Sequence, residues 1–175
     1  MAVDKMKIRL MKKKDLKELA KTYTRAYQIY NKWEHWNGER SYALLSYWLK
    51  RQPDLAFVAE YNGRVVGAFV AGVKPWWDGN HLVDGELVVD PEFQRKGIGK
   101  LLLKAVLEKS VAKYNVTVWE AITFKKTKFP LSWYRKLGFN DVKEWTIING
   151  DVKEALKKIK SVIANQQKNP DMFVD

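Results

Sequence analysis

Polar and apolar positions recur along this chain with two periods, and each change of period marks a new element. Lys7 to Met11 alternates in polarity and predicts a first strand. Asp15 has the short polar side chain of an N-cap. The apolar positions after it, Leu16, Leu19, Ala20, Tyr23, Tyr27 and Tyr30, have the spacing of an amphipathic helix. An aromatic, polar segment from Trp33 to Gly38 separates this helix from a second, near Glu39 to Arg51. Leu55 to Tyr61 and Arg64 to Val73 predict two strands joined by a tight Asn62-Gly63 hairpin. Pro75 to Asn80 breaks the pattern, and His81 to Val89 is the next strand.

A helix follows from Ile98 to Tyr114, with Lys100, Lys104 and Glu108 on its wet face. Val116 to Thr123 is β-branched and aromatic. The long helix before it predicts a parallel crossover from the preceding strand. A short helix from Pro130 to Leu137 should end at Gly138, with a further strand over Val142 to Ile148. Asp151 then caps a helix over 151–166 whose apolar stripe is Val152, Ala155, Leu156, Ile159, Val162 and Ile163. The tail, 167–175, is polar and expected to be mobile. The order predicts an α/β (α+β) fold with a mixed, mostly antiparallel sheet. A single domain over 1–175 is expected, its core at about 6–148.

Composition narrows the class. The chain has 175 residues, 46% apolar and 13% aromatic, enough for one domain with a sizeable core. No apolar run approaches the ~18 residues of a membrane span, and no signal-peptide pattern opens the chain, so a soluble, cytoplasmic protein is expected. The absence of cysteine excludes disulfides, cysteine-bound zinc and a cysteinyl intermediate. With only two histidines, His35 and His81, no metal site is expected. The formal charge is +12. Its lysines read as solvent-facing helical positions and not as one block, so a nucleic-acid partner is not expected.

The candidate chemistry lies in LVVDPEFQRKGIGKLLL, Leu87 to Leu103. An apolar strand ends at Asp90-Pro91, and a turn leads through Gln94, Arg95, Lys96, Gly97, Ile98 and Gly99 into a leucine-rich helix. Free backbone N–H groups at a helix start favour an anion. The glycines let a phosphate approach the backbone, and Arg95, Lys96 and Lys100 add positive charge.

Gln94 to Gly99 resembles the pyrophosphate loop of the GCN5-related N-acetyltransferase (GNAT) family, Gln/Arg-x-x-Gly-x-Gly/Ala. An independent segment, Trp133-Tyr134-Arg135-Lys136-Leu137-Gly138-Phe139, resembles that family's late aromatic-Tyr-x-x-Leu-Gly-Phe motif. The resemblance implies a GNAT-like fold with a central parallel strand pair splayed around the cofactor and helices on both faces. It implies acetyl-CoA as cofactor, held at Gln94, Arg95, Lys96, Gly97, Ile98, Gly99 and Lys100. A bulged strand would present backbone groups of Leu87, Val88 and Val89 to the pantetheine arm and the acetyl carbonyl. Tyr134 matches the position that often protonates the departing thiolate and contacts CoA. Thr127 stands where many members have an asparagine that contacts the arm.

An amine nucleophile needs a base. Glu86, on the strand entering the loop, is the first choice. Asp84, two residues earlier and on the same face by alternation, is the runner-up and a candidate substrate ligand. Trp33, Trp36, Trp76 and Trp77, interleaved with Glu34, Glu39 and Asp78, suit a cationic amine through cation–π and ion-pair contacts. The expected reaction is direct transfer of an acetyl group to a primary amine in a ternary complex, with a small cationic amine as acceptor. Acetylation of protein N-termini or lysines, and non-catalytic CoA or nucleic-acid binding, are the alternatives. A homodimer is left open.

Overall fold

The computed structural model describes residues 6–30, 33–125 and 129–168, with backbone alone at 30, 84 and 164–168. The chain divides into two compact units, Met1–Thr123 and Phe124–Asp175.

The first unit is a five-stranded sheet with helices on both faces. Its elements are β1 (Met6–Leu10), α1 (Leu16–Tyr30), α2 (Gly38–Arg51), β2 (Ala56–Tyr61), β3 (Arg64–Trp76), β4 (Gly79–Val89), α3 (Ile98–Tyr114) and β5 (Val116–Trp119). Strand order follows the sequence, β1 to β5. The first three pairings are antiparallel and β4 pairs with β5 in parallel. The long α3 crossover is what a parallel neighbour requires. The Asn62-Gly63 hairpin joins β2 and β3, and Asn37 caps α2 by accepting from the Arg40 N–H at 2.9 Å. β3 runs through Pro75 to Trp76, past the break expected at Pro75.

Asp15 does not cap α1 in the forward direction. A short 3-10 turn over Lys13–Asp15 precedes the helix, and the buried Asp15 carboxylate reaches back to the Lys12 N–H at 2.7 Å. It also holds the Arg9 guanidinium at 2.7 Å. Burial pushes the Asp15 pKa up, but the Arg9 and Lys12 hydrogen bonds outweigh it and hold it below the ordinary carboxylate value.

Leu16, Leu19, Ala20 and Tyr23 of α1 and Leu45 of α2 pack on Ala56, Val58, Ala68, Val70 and Val88. These strand residues define one face of the sheet. On the other face, a Cβ on Gly67 would point toward the Leu102 side chain of α3.

Two irregularities shape β4. Its register with β3 shifts, with Val70 opposite Glu86 but Gly72 opposite Val83. Two β4 residues, Asp84 and Gly85, therefore oppose one on β3, which is a β-bulge. A Cβ on Gly85 would fall 1.3 Å from the Val70 carbonyl oxygen. Second, the β4–β5 ladder runs only from Asn80/Val116 to Leu82/Trp119, closed by the Glu120 N–H to Leu82 O at 2.9 Å. Beyond Leu82 the two strands part, as expected of the splayed pair.

The second unit holds α4 (Leu131–Lys136) and α5 (Val152–Lys168). Gly138, at a φ of 89°, follows α4 as its expected terminator. Asp151 caps α5, accepting from the Lys153 and Glu154 N–H groups at 2.8 and 3.0 Å. The strand expected over Val142 to Ile148 is not formed, and a turn lies at Lys143 and Glu144. Alternating residues make a strand only where a ladder partner satisfies the backbone, and among the described residues this segment has none. The parallel pair therefore stands at the end of the described sheet.

Candidate active site

The loop after β4 is built around one buried carboxylate. Asp90 is fully buried and accepts from Arg25 Nη2 of α1 at 2.6 Å and Arg64 Nη2 of β3 at 2.7 Å. It also accepts from the Glu92 N–H at 3.1 Å and donates its own N–H to Val66 O at 2.8 Å. α1, β3 and the 3-10 turn over Pro91–Phe93 are thereby tied to one point, just ahead of the glycines. Gln94 Nε2 closes the loop by donating to Val89 O at 2.9 Å.

Past that anchor the backbone turns left-handed twice, at Arg95 (φ 60°) and Gly97 (φ 81°). Gly97 is the N-cap of α3, a place where a side chain would strain the backbone. Lys100 and Leu101 donate to Gly97 O, so the helical ladder begins with them. The Ile98 and Gly99 N–H groups ahead of them have no acceptor among the described residues. They are the orphan donors of a helix start, at the positive end of a 17-residue dipole. Lys96 Nζ donates to Glu92 O at 2.7 Å and lies 5.0 Å from the Phe93 ring centre. The arrangement suits a diphosphate. Replacing Asp90 with Asn should weaken acetyl-CoA binding about tenfold and lower stability by roughly 2 kcal/mol, since two guanidinium groups lose a buried charge partner. Calorimetric titration and urea unfolding of the variant check both effects.

Glu86 lies on the α1 face of β4. Its Oε2 accepts from Tyr23 Oη at 2.9 Å and from Tyr27 Oη at 3.0 Å. The two phenol rings stack at 4.3 Å, and the Trp36 indole meets Tyr23 edge-on at 5.1 Å. Burial, and then the Glu86 charge, push both phenol pKa values up, so each hydroxyl keeps its proton and donates. The result is a carboxylate set in aromatic walls, the combination that attracts a cation.

Of the expected acceptor residues, Trp36 joins this group, and its indole N–H donates to Glu34 Oε2 at 2.7 Å. Trp33 is exposed. Trp76 and Trp77 sit at the β3–β4 turn, roughly 20 Å along the strand from Glu86 at ~3.3 Å per residue. There Trp76 packs under Lys74, whose Nζ lies 4.1 Å from the ring centre. The alternation that set Asp84 beside Glu86 fails at the bulge. Val83 and Glu86, opposite Gly72 and Val70, share the face, and the Asp84 side chain lies outside the described residues. Leu87, Val88 and Val89 pair with Phe69, Ala68 and Gly67 on β3, past the point where β5 leaves β4. Thr127 lies outside the described residues. Tyr134, in the second unit, is half-buried and packs edge-on against Trp133 and Phe139, each at 5.1 Å.

A second cluster sits where β4 and β5 part. His81, only 4% exposed, faces Glu120 Oε1 through Nδ1 at 2.5 Å and Asp78 Oδ1 through Nε2 at 2.8 Å. Lys74 Nζ adds a contact to Glu120 at 2.9 Å. Burial raises the Glu120 pKa, but Lys74 and His81 outweigh it and hold the carboxyl below its usual range. No spacing in the sequence marks this group, since Lys74 and His81 stand on β3 and β4, Asp78 on the turn between them and Glu120 just past β5. Among the described residues, no group of three or more His, Cys, Asp or Glu is arranged to hold a metal ion. No helix among them is long and apolar enough to cross a membrane.

The family model of the acetyltransferase (GNAT) family matches residues 16–139. The chain belongs to the GNAT family. An uncharacterized N-acetyltransferase of Methanocaldococcus jannaschii is 30% identical over 147 residues, covering 79% of this chain and 63% of that protein. N-alpha-acetyltransferase 30 of Dictyostelium discoideum is 31% identical over 105 residues, covering 58% of this chain and 56% of that protein. The chain thus spans less than two thirds of the length of these curated relatives. A crystal structure of a Pyrococcus horikoshii OT3 protein is similar with a TM-score of 0.65 at 30% identity, covering 81% of this chain and 93% of that one.

Proposed function

We propose that this GNAT protein transfers the acetyl group of acetyl-CoA directly to a primary amine in a ternary complex, with a small cationic amine as acceptor. The observation that carries this reading is Glu86 under the stacked Tyr23 and Tyr27 rings and Trp36, on the strand that enters the glycine loop. A cationic amine is drawn to that carboxylate and those ring faces, and loses a proton there before attack. Glu86 is the base. The N–H groups of Gly97, Ile98 and Gly99, with Arg95, Lys96 and Lys100, hold the pyrophosphate. Backbone groups of Leu87, Val88 and Val89 take the pantetheine arm, and one N–H stabilises the oxyanion that forms on the acetyl carbonyl. On the family pattern, Tyr134 returns a proton to the departing thiolate and Thr127 contacts the arm. With no cysteine in the chain, an acyl-cysteine intermediate has no residue to form on.

Acetylation of peptide N-termini is the second reading, favoured by the name of the Dictyostelium relative. A panel of polyamines, aminoglycosides and short peptides with free N-termini, assayed for release of free CoA, separates the two. Turnover of small diamines with peptides inert supports the first reading. Turnover of peptides alone replaces it with the second. Tyr134→Phe should lower kcat by about 10²-fold or more while acetyl-CoA affinity stays within about threefold. Equal losses in both would reduce Tyr134 to a binding residue.

A further inference from the structure

We propose that the exposed lysine face of α1 binds the phosphate backbone of a single-stranded nucleic acid. Lys14 of the 3-10 turn and Lys17, Lys21 and Arg25 of α1 lie along one side, at spacings of three and four residues. With Arg64 of β3, these four cations line a groove of about 470 Å³. Its remaining lining is Thr22 and one acid, Glu18, which lies 3.8 Å from Arg64. Asp15, the other acid of the segment, is buried against Arg9 and does not offset the stripe.

The distribution differs from that of a merely lysine-rich surface. On α3 the exposed Lys104 is answered by Glu108 one turn on, at 3.7 Å. Lys14, Lys17 and Lys21 form no ion pair among the described residues, whereas Arg64 faces Glu18 at 3.8 Å and Glu92 at 3.7 Å. Two of the groove's cations are preset, because buried Asp90 holds Arg25 of α1 and Arg64 of β3 by one guanidinium nitrogen each. Both remain about half exposed, at 47% and 44%, and Arg25 keeps further N–H donors to present.

The chemistry of the lining selects the ligand. Apart from lysine stems and the Thr22 methyl, the groove offers no apolar side chain to anchor a peptide. A phosphate backbone needs only the charges. From Lys14 to Arg25 the stripe runs about 16 Å at ~1.5 Å per residue. Along that length its four cations, with Arg64 beside them, can each meet a phosphate of one strand, five contacts at most. On the other side of Lys14 and Lys17 lies a second hollow, of about 770 Å³, where Tyr42 stands 38% exposed beside Gly38 and Glu39. A cationic track beside an exposed aromatic ring is how proteins hold unpaired bases. Lysines that read along the sequence as scattered solvent-facing positions are thus gathered along one face here.

The test is fluorescence anisotropy of the full chain with labelled 12-nucleotide RNA and DNA of one mixed sequence, over a salt series. Five phosphate contacts predict a log–log salt slope near −3.5 and about 100-fold weaker binding between 50 and 200 mM salt. The variant Lys14→Glu/Lys17→Glu/Lys21→Glu should lose at least about 30-fold at 50 mM and flatten the slope. Lys50→Glu/Lys104→Glu/Lys109→Glu, with the same charge change elsewhere, should stay within about threefold of wild type. Binding that persists in saturating acetyl-CoA, to RNA alone or to both strands, supports the proposal. Equal losses in the two variants would reduce the effect to bulk charge and overturn it. So would displacement by acetyl-CoA, equal affinity for polyglutamate, or no binding at 50 mM salt.

Discussion

Replacing Gly85 with alanine is expected to cost the fold about 3 kcal/mol or more, at the upper end for a single added methyl. The new Cβ would meet the Val70 carbonyl oxygen at 1.3 Å, the Val70 carbonyl carbon at 2.3 Å and Ala71 Cα at 2.7 Å. All three are backbone atoms, so no rotamer change relieves the clash. Either β4 moves off β3 or the bulge opens, and each path breaks ladder hydrogen bonds beside Glu86. Gly99→Ala is the matched control, since nothing lies within 4 Å of its Cβ position. Urea unfolding of the two variants checks the expectation, and a Gly85→Ala loss under about 1 kcal/mol would contradict the bulge.

The second large effect is on chemistry. Glu86→Gln keeps a carbonyl oxygen to accept from Tyr23 and Tyr27, so the aromatic walls should stand. On the proposed mechanism it removes the charge that draws the amine and the base that deprotonates it. kcat/KM should fall by about 10²- to 10⁴-fold, the range for a positioned general base. Acetyl-CoA affinity should change less than about twofold, because the loop and its Asp90 anchor are untouched. Turnover within threefold of wild type would leave Glu86 as a structural acceptor for two tyrosines and move the search for the base to the Glu120 cluster.

Local signals carried much of this fold. The helix expected from about Ile98 to Tyr114 forms over Ile98–Tyr114, after the glycine turn, and a left-handed Asn115 ends it. The glycine loop turns into that helix at Gly97, as its local glycine pattern predicts. What escaped the sequence depends on partners far along the chain. The Leu16–Tyr30 stripe showed which face is buried, but not that its phenols turn to a carboxylate about 60 residues on. Asp90 read as the end of a strand, although its guanidinium partners come 65 and 26 positions earlier. Trp36 and Trp76 are alike in sequence, yet one walls the Glu86 site and the other packs against Lys74 at the hairpin turn. The bulge at Asp84 and Gly85 leaves no mark on polarity, so strict alternation paired Asp84 with Glu86. Val142 to Ile148 alternates like a strand, but alternation does not supply a ladder partner.

The central claim is that the loop after β4 holds the pyrophosphate of acetyl-CoA through its backbone N–H groups. Amide chemical shifts of ¹⁵N-labelled protein titrated with acetyl-CoA test it most directly. The largest shifts should fall on Gly97, Ile98 and Gly99, with a second group at Leu87 to Val89, and Asp90→Asn should weaken the titration. Saturable binding that leaves the Gly97, Ile98 and Gly99 amides unmoved, or no binding at millimolar acetyl-CoA, would contradict it.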